Sequence, residues 1–519
     1  MNILVLFKTV PVWERVLEGD WERFSLHSDL SYAGTQFNCF DESALELGLR
    51  LKDEWKKFGR DARCFAVTAG TLHPSFAQTL FAAGYDDVAS LGAEGIEFAS
   101  GEVASLLARY AAQGEYELIL AGGAAGMADT GTVPLSIAHE LNRPLLVNAV
   151  ELHAHGEALE ALCQDGEGLW KHAVRLPLLV TIGNSPAVLR ASTLRARLTH
   201  KDQEVRLVPV DYAARLNPKE IEFGRPAGKR ACVHMEFSSM AEHAKKLLCE
   251  ELKGKEHAPG VDSPGFCPEN AVAYYTEGVP WYAAERAFGT LAEDWRKRKP
   301  DYALFLDDPM GRALAYRLAN ATGSFFLTGA SFAEDGTSLA RRACASNVVA
   351  LHKPRVPAVL TMGKLPKTIE SFSVDVENNG YPAWLLGEER LPHVCDGLGN
   401  KKIVVVCGAG IGSRANCELA RTLAEKLGAG FGLTRAAALS GWGDPAEIVG
   451  QSGVSVSPEV CLVLGASGAG AFMVGIENAQ RVIAVNCDEN APIFRNADVG
   501  VVADAQTLTH ALLDAEGNA

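Results

Sequence analysis

The sequence predicts an α/β protein: two related parallel-sheet βαβ domains followed by a third domain with a doubly wound sheet. Three observations carry this expectation. Apolar, strand-like runs alternate with segments of helical period, the mark of βαβ units. A segment of the first half returns in the second. Beyond residue 400 an apolar strand runs into glycines and then into a helical pattern. At roughly 100–200 residues per domain, a chain of 519 residues calls for about three to four domains, since one core cannot grow that large.

The elements follow in chain order. Ile3–Phe7 reads as a buried strand, Glu42–Leu51 as a helix, Ala62–Thr68 as a strand and Ser75–Ala83 as a helix. Tyr116–Ala121 is a further strand that ends in a glycine cluster, and the alternation resumes at Tyr302–Leu306 and Lys402–Val406. The polar, Pro- and Gly-containing stretches Leu216–Lys229, Lys253–Gly265 and Gly387–Asn400 read as linkers. The recurring segment is Arg175-Leu176-Pro177-Leu178-Leu179-Val180-Thr181-Ile182-Gly183-Asn184-Ser185-Pro186, matched by Arg355-Val356-Pro357-Ala358-Val359-Leu360-Thr361-Met362-Gly363-Lys364-Leu365-Pro366. Arg, Pro, Thr, Gly and the final Pro coincide, and the positions between stay apolar. The division expected from these signals is 1–230, then a linker plus second domain over 231–398, then 399–519.

Composition narrows the function classes. Hydrophobic residues at 48% and charged residues at 22% suit an ordinary globular chain and exclude a low-complexity scaffold. The formal net charge of −15 argues against binding along a phosphate backbone. Met1–Lys8 lacks a basic leader and a small-residue cleavage site, so it reads as a strand rather than a signal peptide. No run approaches the roughly 20 apolar residues needed to span a bilayer. The expectation is a cytoplasmic protein whose twelve cysteines, without a Cys-x-x-Cys pair, are reduced core or strand residues.

In the third domain, Lys402-Ile403-Val404-Val405-Val406-Cys407-Gly408-Ala409-Gly410-Ile411-Gly412-Ser413 precedes a helical pattern over Asn416–Leu427. A strand–glycine loop–helix presents backbone N–H groups suited to a pyrophosphate, although the spacing is G-x-G-x-G and glycines also serve plain turns. Further groups of small and polar residues follow at Leu433–Ala437, Gly450–Gly453, Gly465–Gly470 and Val485–Asp488. In an open parallel sheet the carboxyl ends of the strands converge on one crevice, so these loops would line a single ligand site. Arg435 supplies a fixed cation, Ser452 and Ser467 hydroxyls, and Asn486 and Asp504 groups that suit ribose or ribityl hydroxyls.

Gly432-Leu433-Thr434-Arg435-Ala436-Ala437, Val449-Gly450-Gln451-Ser452-Gly453, Gly465-Ala466-Ser467-Gly468-Ala469 and Ile483–Phe494, in that order and spacing, resemble the FAD-binding domain of the electron-transfer flavoprotein alpha subunit. The first domain resembles the beta subunit through Phe7-Lys8-Thr9-Val10-Pro11, Asn38-Cys39-Phe40-Asp41-Glu42, Gly126-Met127-Ala128-Asp129-Thr130-Gly131 and Leu189–Leu194. Residues of about 255–395 then correspond to the amino-terminal domain of alpha, which shares the beta fold and accounts for the repeat. The resemblance implies beta and alpha fused head to tail, with the first two domains adenine nucleotide alpha hydrolase-like.

By this resemblance the third domain holds FAD. Thr434 and Arg435 would lie beside the isoalloxazine ring and Gln451, Ser452 and Phe472 near its edge. Ser467, Gly468 and Ala469 would take the pyrophosphate side, and Asn486 and Asp504 the adenosine half. A second nucleotide site, holding AMP or a second FAD, would involve Lys8, Asn38, Asp129, Thr130, Gly131 and Thr132. Leu194 would be a partner-docking anchor, and the basic stretch Arg190–Lys201 would meet an acidic redox partner. The sequence departs from the family in three places. Gly408-Ala409-Gly410 replaces Gly-Arg-Gly, Ala471-Phe472 replaces a Gln-His pair, and Asn486-Cys487-Asp488 replaces Asn-Lys-Asp. Two readings stand: an electron carrier between a flavin dehydrogenase and another redox protein, or a degenerate nucleotide-binding paralogue with altered or lost redox function.

Overall fold

The computed structural model describes residues 1–25, 27–93, 96, 98–124, 131–156, 158–165, 168–210, 221–225, 230, 232–235, 246, 268, 270–277, 279–333, 335–366, 368–374, 376, 380–391, 398, 401–450 and 453–517. They group into two compact units, one drawn from 1–165, 169–225 and 264–391, the other from 166–168, 226–263 and 392–519.

Within the first unit the repeat becomes a repeat of topology. Asn2–Leu6, Leu118–Gly122, Leu178–Ile182 and Leu145–His155 lie side by side in that order and are parallel. In the second copy Ala271–Tyr275, Tyr302–Leu306, Ala358–Met362 and Phe325–Leu327 follow the same order, again parallel. Leu178 sits opposite Leu118, and its counterpart Ala358 opposite Tyr302. The repeated threonines share a task as well. Thr181 Oγ1 accepts from the Asn148 amide at 2.9 Å and Thr361 Oγ1 from the Gly329 amide at 3.0 Å. The strands read as continuous apolar runs because helices cover both faces. Helix Cys39–Lys57, for instance, buries Leu45, Leu49 and Trp55 against Ile3, Val5 and Leu120.

Each copy receives an edge strand from the chain that follows the other's core. Ile221–Gly224, after the first copy, pairs antiparallel with Val348–His352 of the second. Leu385–Leu391, after the second copy, pairs antiparallel with Gly168–Arg175 of the first. Both strands fall within or overlap stretches expected to be linkers, 216–229 and 387–400, and that expectation is corrected here. Four alternating residues flanked by Lys, Pro and Gly carry too little periodicity to stand out, and only the partner strand supplies the hydrogen bonds that make them strands. The third expected linker, 253–265, lies outside the described residues.

In the second unit Val233–Met235, Val499–Val502, Arg481–Asn486, Val460–Leu464, Ile403–Cys407 and Gly430–Leu433 form a parallel six-stranded sheet in that spatial order. Chain order reverses between 403–407 and 460–464, the topological switch point of a doubly wound sheet. Val405, Leu462, Ile483 and Leu508 pack on one face and Val404, Val463, Phe472 and Ile493 on the other. Cys64, Cys163, Cys344, Cys407, Cys417 and Cys461 are buried free thiols. Among the described residues no helix is long and apolar enough to cross a membrane.

A histidine stands opposite each exchanged strand, His172 buried and His352 half-buried. His172 lies opposite Glu388 and His352 opposite Ile221. Burial pushes both imidazoles down to about 4, with Arg341 adding like charge at His352. A folded-state value below the ordinary ~6.5 favours the neutral ring, so this stability is complete above pH ~6.5 and is lost as pH falls from there through 4. For His172 the cost is at most about 3 kcal/mol, reduced by Glu388 Oε2 at 3.7 Å from Nδ1. Amide protection factors over 385–391 and 221–224, taken relative to the intrinsic exchange rate at each pH, are therefore expected to fall on acidification across that window, and His172→Phe to flatten the response at 385–391. Protection unchanged down to pH 4 would reject this origin.

Candidate functional site

In the second unit, parallel strands place Leu433, Leu464, Asn486 and Val502 at the same sheet edge, so the residues that follow share one rim. Thr434 precedes the helix Arg435–Leu439 and donates its amide to the Cys407 carbonyl at 2.8 Å. It is 8% exposed, and among the described residues its buried Oγ1 has no hydrogen-bond partner. Such a hydroxyl costs roughly 1–3 kcal/mol unless something else satisfies it. Arg435 opens the helix, half-buried. In the same unit Arg421 forks onto buried Glu447 at 2.5 and 2.9 Å and lies 4.2 Å over the Phe431 ring, while Glu447 also accepts the Asp444 amide at 3.0 Å. This clamp was not anticipated from the sequence, where Arg421 and Glu447 are separated and belong to no motif.

The loop after Val460–Leu464 is held by close backbone approach. Gly410 donates to the Gly465 carbonyl at 2.8 Å, and a Cβ on Gly408 would lie 2.4 Å from that oxygen. Gly468 has φ +89°, and a Cβ there would fall 2.3 Å from the Ile493 nitrogen. Ser467 and Ala469 are exposed on the rim, with the Ser467 carbonyl accepting from Ile493 at 3.0 Å. Asn486 uses both ends of its amide inside the protein, donating to the Ala466 carbonyl at 3.0 Å and accepting from Asp488 at 2.9 Å. Asp504 accepts from the Thr507 amide and hydroxyl, each at 2.8 Å, and these bonds hold its carboxyl below the ordinary range. Phe472 is turned into the core, 6% exposed, beside Val449, Val456 and Ile476. Gln451 and Ser452 lie outside the described residues. The structure thus brings Thr434, Arg435, Ser467, Gly468, Ala469, Asn486 and Asp504 to one rim, and gives Asn486 and Asp504 structural bonds there. An orphaned hydroxyl beside loops of small residues fits a long, polar cofactor such as FAD.

The first unit carries a second cluster, also at the carboxyl ends of parallel strands. Asn38 is 2% exposed and donates from Nδ2 to the Ala124 carbonyl at 2.9 Å, and its amide donates to the Lys8 carbonyl at 3.0 Å. Asp41, four residues into the Asn38–Glu42 motif, accepts from the Lys8 amide at 3.1 Å and the Gly122 amide at 2.9 Å. Burial raises its carboxyl to about 6, with Lys8 and the two amides opposing. The sequence reading passed over Asp41 as a site residue, although an acid in the first turn of a helix that follows a strand was the available signal. Gly131 has φ +59° and Thr132 is buried; Asp129 and Thr130 lie outside the described residues.

At the surface, Leu194 begins the helix Leu194–Thr199 and is 74% exposed, with Leu198 60% exposed on the same short helix. Arg190, expected to face a partner, is turned inward. It pairs with Glu46 at 3.1 Å and Asp53 at 2.7 Å, because buried Glu46 requires a cation.

A doubly wound domain with glycine loops at its switch point, joined to a repeated parallel-sheet unit with its own polar rim, defines a nucleotide-binding α/β protein. Comparison with known proteins gives the family. Residues 397–477 match the electron transfer flavoprotein FAD-binding domain, and residues 29–211 match the electron transfer flavoprotein domain. YgcQ of Escherichia coli K12, provisionally named an electron transfer flavoprotein subunit, is 34% identical over 242 residues, 44% of this chain and 83% of its own length. The electron transfer flavoprotein subunit alpha of Mycobacterium tuberculosis is 44% identical over 119 residues, 22% of this chain and 37% of its own. The protein FixB of Azorhizobium caulinodans is 42% identical over 113 residues, 22% of this chain and 31% of its own, so the chain spans only about a third of the last two. The chain belongs to the electron transfer flavoprotein family.

Two substitutions test the geometry. Asp41→Ala strands the Lys8 and Gly122 amides and is expected to cost roughly 1–3 kcal/mol in a urea melt, while carboxyl NMR should show Asp41 titrating near 6 rather than 3.8. Gly468→Ala is expected to destabilise the second unit by roughly 1–3 kcal/mol through its left-handed backbone and the clash with Ile493; a wild-type melting curve would remove the constraint.

Proposed function

We propose that this chain is a single-chain electron carrier that joins beta-like and alpha-like parts of the family, binds FAD at the rim of its carboxyl-terminal domain, and passes electrons from a flavin dehydrogenase to another redox protein. The observation that carries the reading is the Thr434 hydroxyl, without a partner among the described residues and beside Arg435, on a rim within the family's FAD-binding domain. Two copies of one topology within the first unit support the fusion.

The cofactor supplies reversible uptake of one or two electrons. The chain's residues bind and tune it. Thr434 donates its hydroxyl, Arg435 offers a cation and planar donors to negative charge on the reduced ring, and Gln451 and Ser452 meet the ring edge. Ser467, Gly468 and Ala469 contact the pyrophosphate through backbone and hydroxyl, and Asn486 and Asp504 border the adenosine half. Phe472 stands where the family carries a His and is in the core, which removes one donor from the ring edge and points to a lower potential than the family's. The site on Lys8, Asn38, Asp129, Thr130, Gly131 and Thr132 takes AMP or a second FAD, and Leu194 anchors the partner.

Purified protein is expected to be yellow and to release FAD on denaturation. Arg435→Ala should retain FAD while its midpoint potential falls by tens of millivolts, since ~59 mV corresponds to a tenfold change for one electron. An unchanged potential would remove Arg435 from the ring. A colourless protein that cannot be reconstituted would favour the second reading, a nucleotide-binding paralogue without redox function, which the burial of Phe472 also suits.

A further inference from the structure

Helix Pro309–Thr322 of the second copy packs on helix Val133–Glu140 of the first. Asn320 meets His139 at 3.0 Å, and Tyr316 lies edge-on to the same ring at 5.7 Å and beside Ser136. Residues at i, i+4 and i+8 share a helix face, so the next residue back along this face is Arg312. Its contacts follow the parallel course of the two helices. As the face runs from Asn320 to Arg312, its partner runs from His139 to Gly131, and a Cβ on Gly131 would lie 2.9 Å from Arg312 Nη1 and 3.1 Å from the Gly123 carbonyl.

Arg312 is fixed by a bidentate pair to Asp307, Nε to Oδ1 at 2.8 Å and Nη2 to Oδ2 at 2.7 Å. Asp307 is fixed in turn by the repeated Thr361, whose hydroxyl donates to Oδ1. This uses one edge of the guanidinium. Nη1 donates to no described atom, and the side chain remains 32% exposed. Nη1 packs directly against Gly131, where a Cβ would clash with it, and Asn38 reaches the nearby Ala124 carbonyl, so the guanidinium edge abuts the rim of the second cluster.

We infer that Arg312 is a ligand-binding residue of the second nucleotide site, donating from Nη1 to a phosphate of an adenine nucleotide, so that the site is completed by both copies of the repeat. This rests on the reading of that rim as a nucleotide site. A planar donor held by a carboxylate suits a phosphate oxygen better than a flexible ammonium would.

The test compares AMP with adenosine on the full chain by calorimetry, for the wild type, Arg312→Lys and Arg312→Gln. Arg312→Lys keeps a cation at Asp307 and loses the forked edge. AMP affinity should fall roughly 10- to 100-fold in both variants while adenosine affinity stays unchanged. Equal loss for both ligands, or none, would overturn the role of Arg312 and leave the site standing. A wild type that binds neither ligand would overturn the site and the proposal together. A measurement without a variant guards against misfolding: AMP, but not adenosine, should protect Arg312 from phenylglyoxal, read by peptide mass spectrometry, and equal labelling in both would reject the contact.

Discussion

Backbone hydrogen bonding at sheet edges organises the first unit. Gly168–Arg175 and Val348–His352 would each present a row of unpaired amides and carbonyls, and each is covered by a strand from beyond the other copy's core. An open edge invites foreign pairing, so closing it within the chain removes a liability and ties the copies together. The consequences reach the site residues. With the copies locked, helix 309–322 is held on helix 133–140, and the carboxylate-bound Arg312 is brought to Gly131. Position at the rim of one copy therefore depends on hydrogen bonds made at the far edge of the other.

The second unit meets the same need for precision differently. Its rim loops approach so closely that no side chain fits between them, as at Gly408 against the Gly465 carbonyl and Gly468 against Ile493. Asn486 then ties the loop after Val460–Leu464 to the loop after its own strand through the two ends of one amide. Binding groups on such loops lose little entropy on meeting a ligand, because their backbone is already fixed. The Arg421–Glu447 fork ties the helix Arg414–Lys426 to the turn at Glu447, with both charges satisfied by each other.

Much of this was legible in the sequence, because parallel sheets write long apolar runs and glycine loops that local reading detects. The repeat at Arg175 and Arg355 foretold two copies, and its threonines do perform one task twice. What escaped was made by distant partners. Ile221–Gly224 is a strand because Val348–His352 lies beside it, Arg190 turns inward because Glu46 is buried, and Phe472 enters the core where the motif alone suggested the rim. Asp41 and Arg312 belong to the same class, since their meaning lies in Gly122 and Gly131, far away in sequence.

The charges around the second cluster explain why geometry matters there more than net charge. Asp41 is ionised at neutral pH even with its carboxyl raised to about 6, and it lies against the Lys8 amide in a cluster that also holds the Lys8 cation. Arg312 and Asp307 cancel in the same way at short range. A phosphate arriving at this rim meets two compensated pairs rather than a basic patch. Little long-range attraction draws it in, and affinity must come from donors at hydrogen-bond distance. Such contacts are screened far less by salt than exposed charges are. They also discriminate, because a ligand without a phosphate forgoes the donors without relieving any repulsion. On the proposed reading, an acidic chain with a net charge of −15 would hold an anionic nucleotide here through such local donors rather than through its net charge.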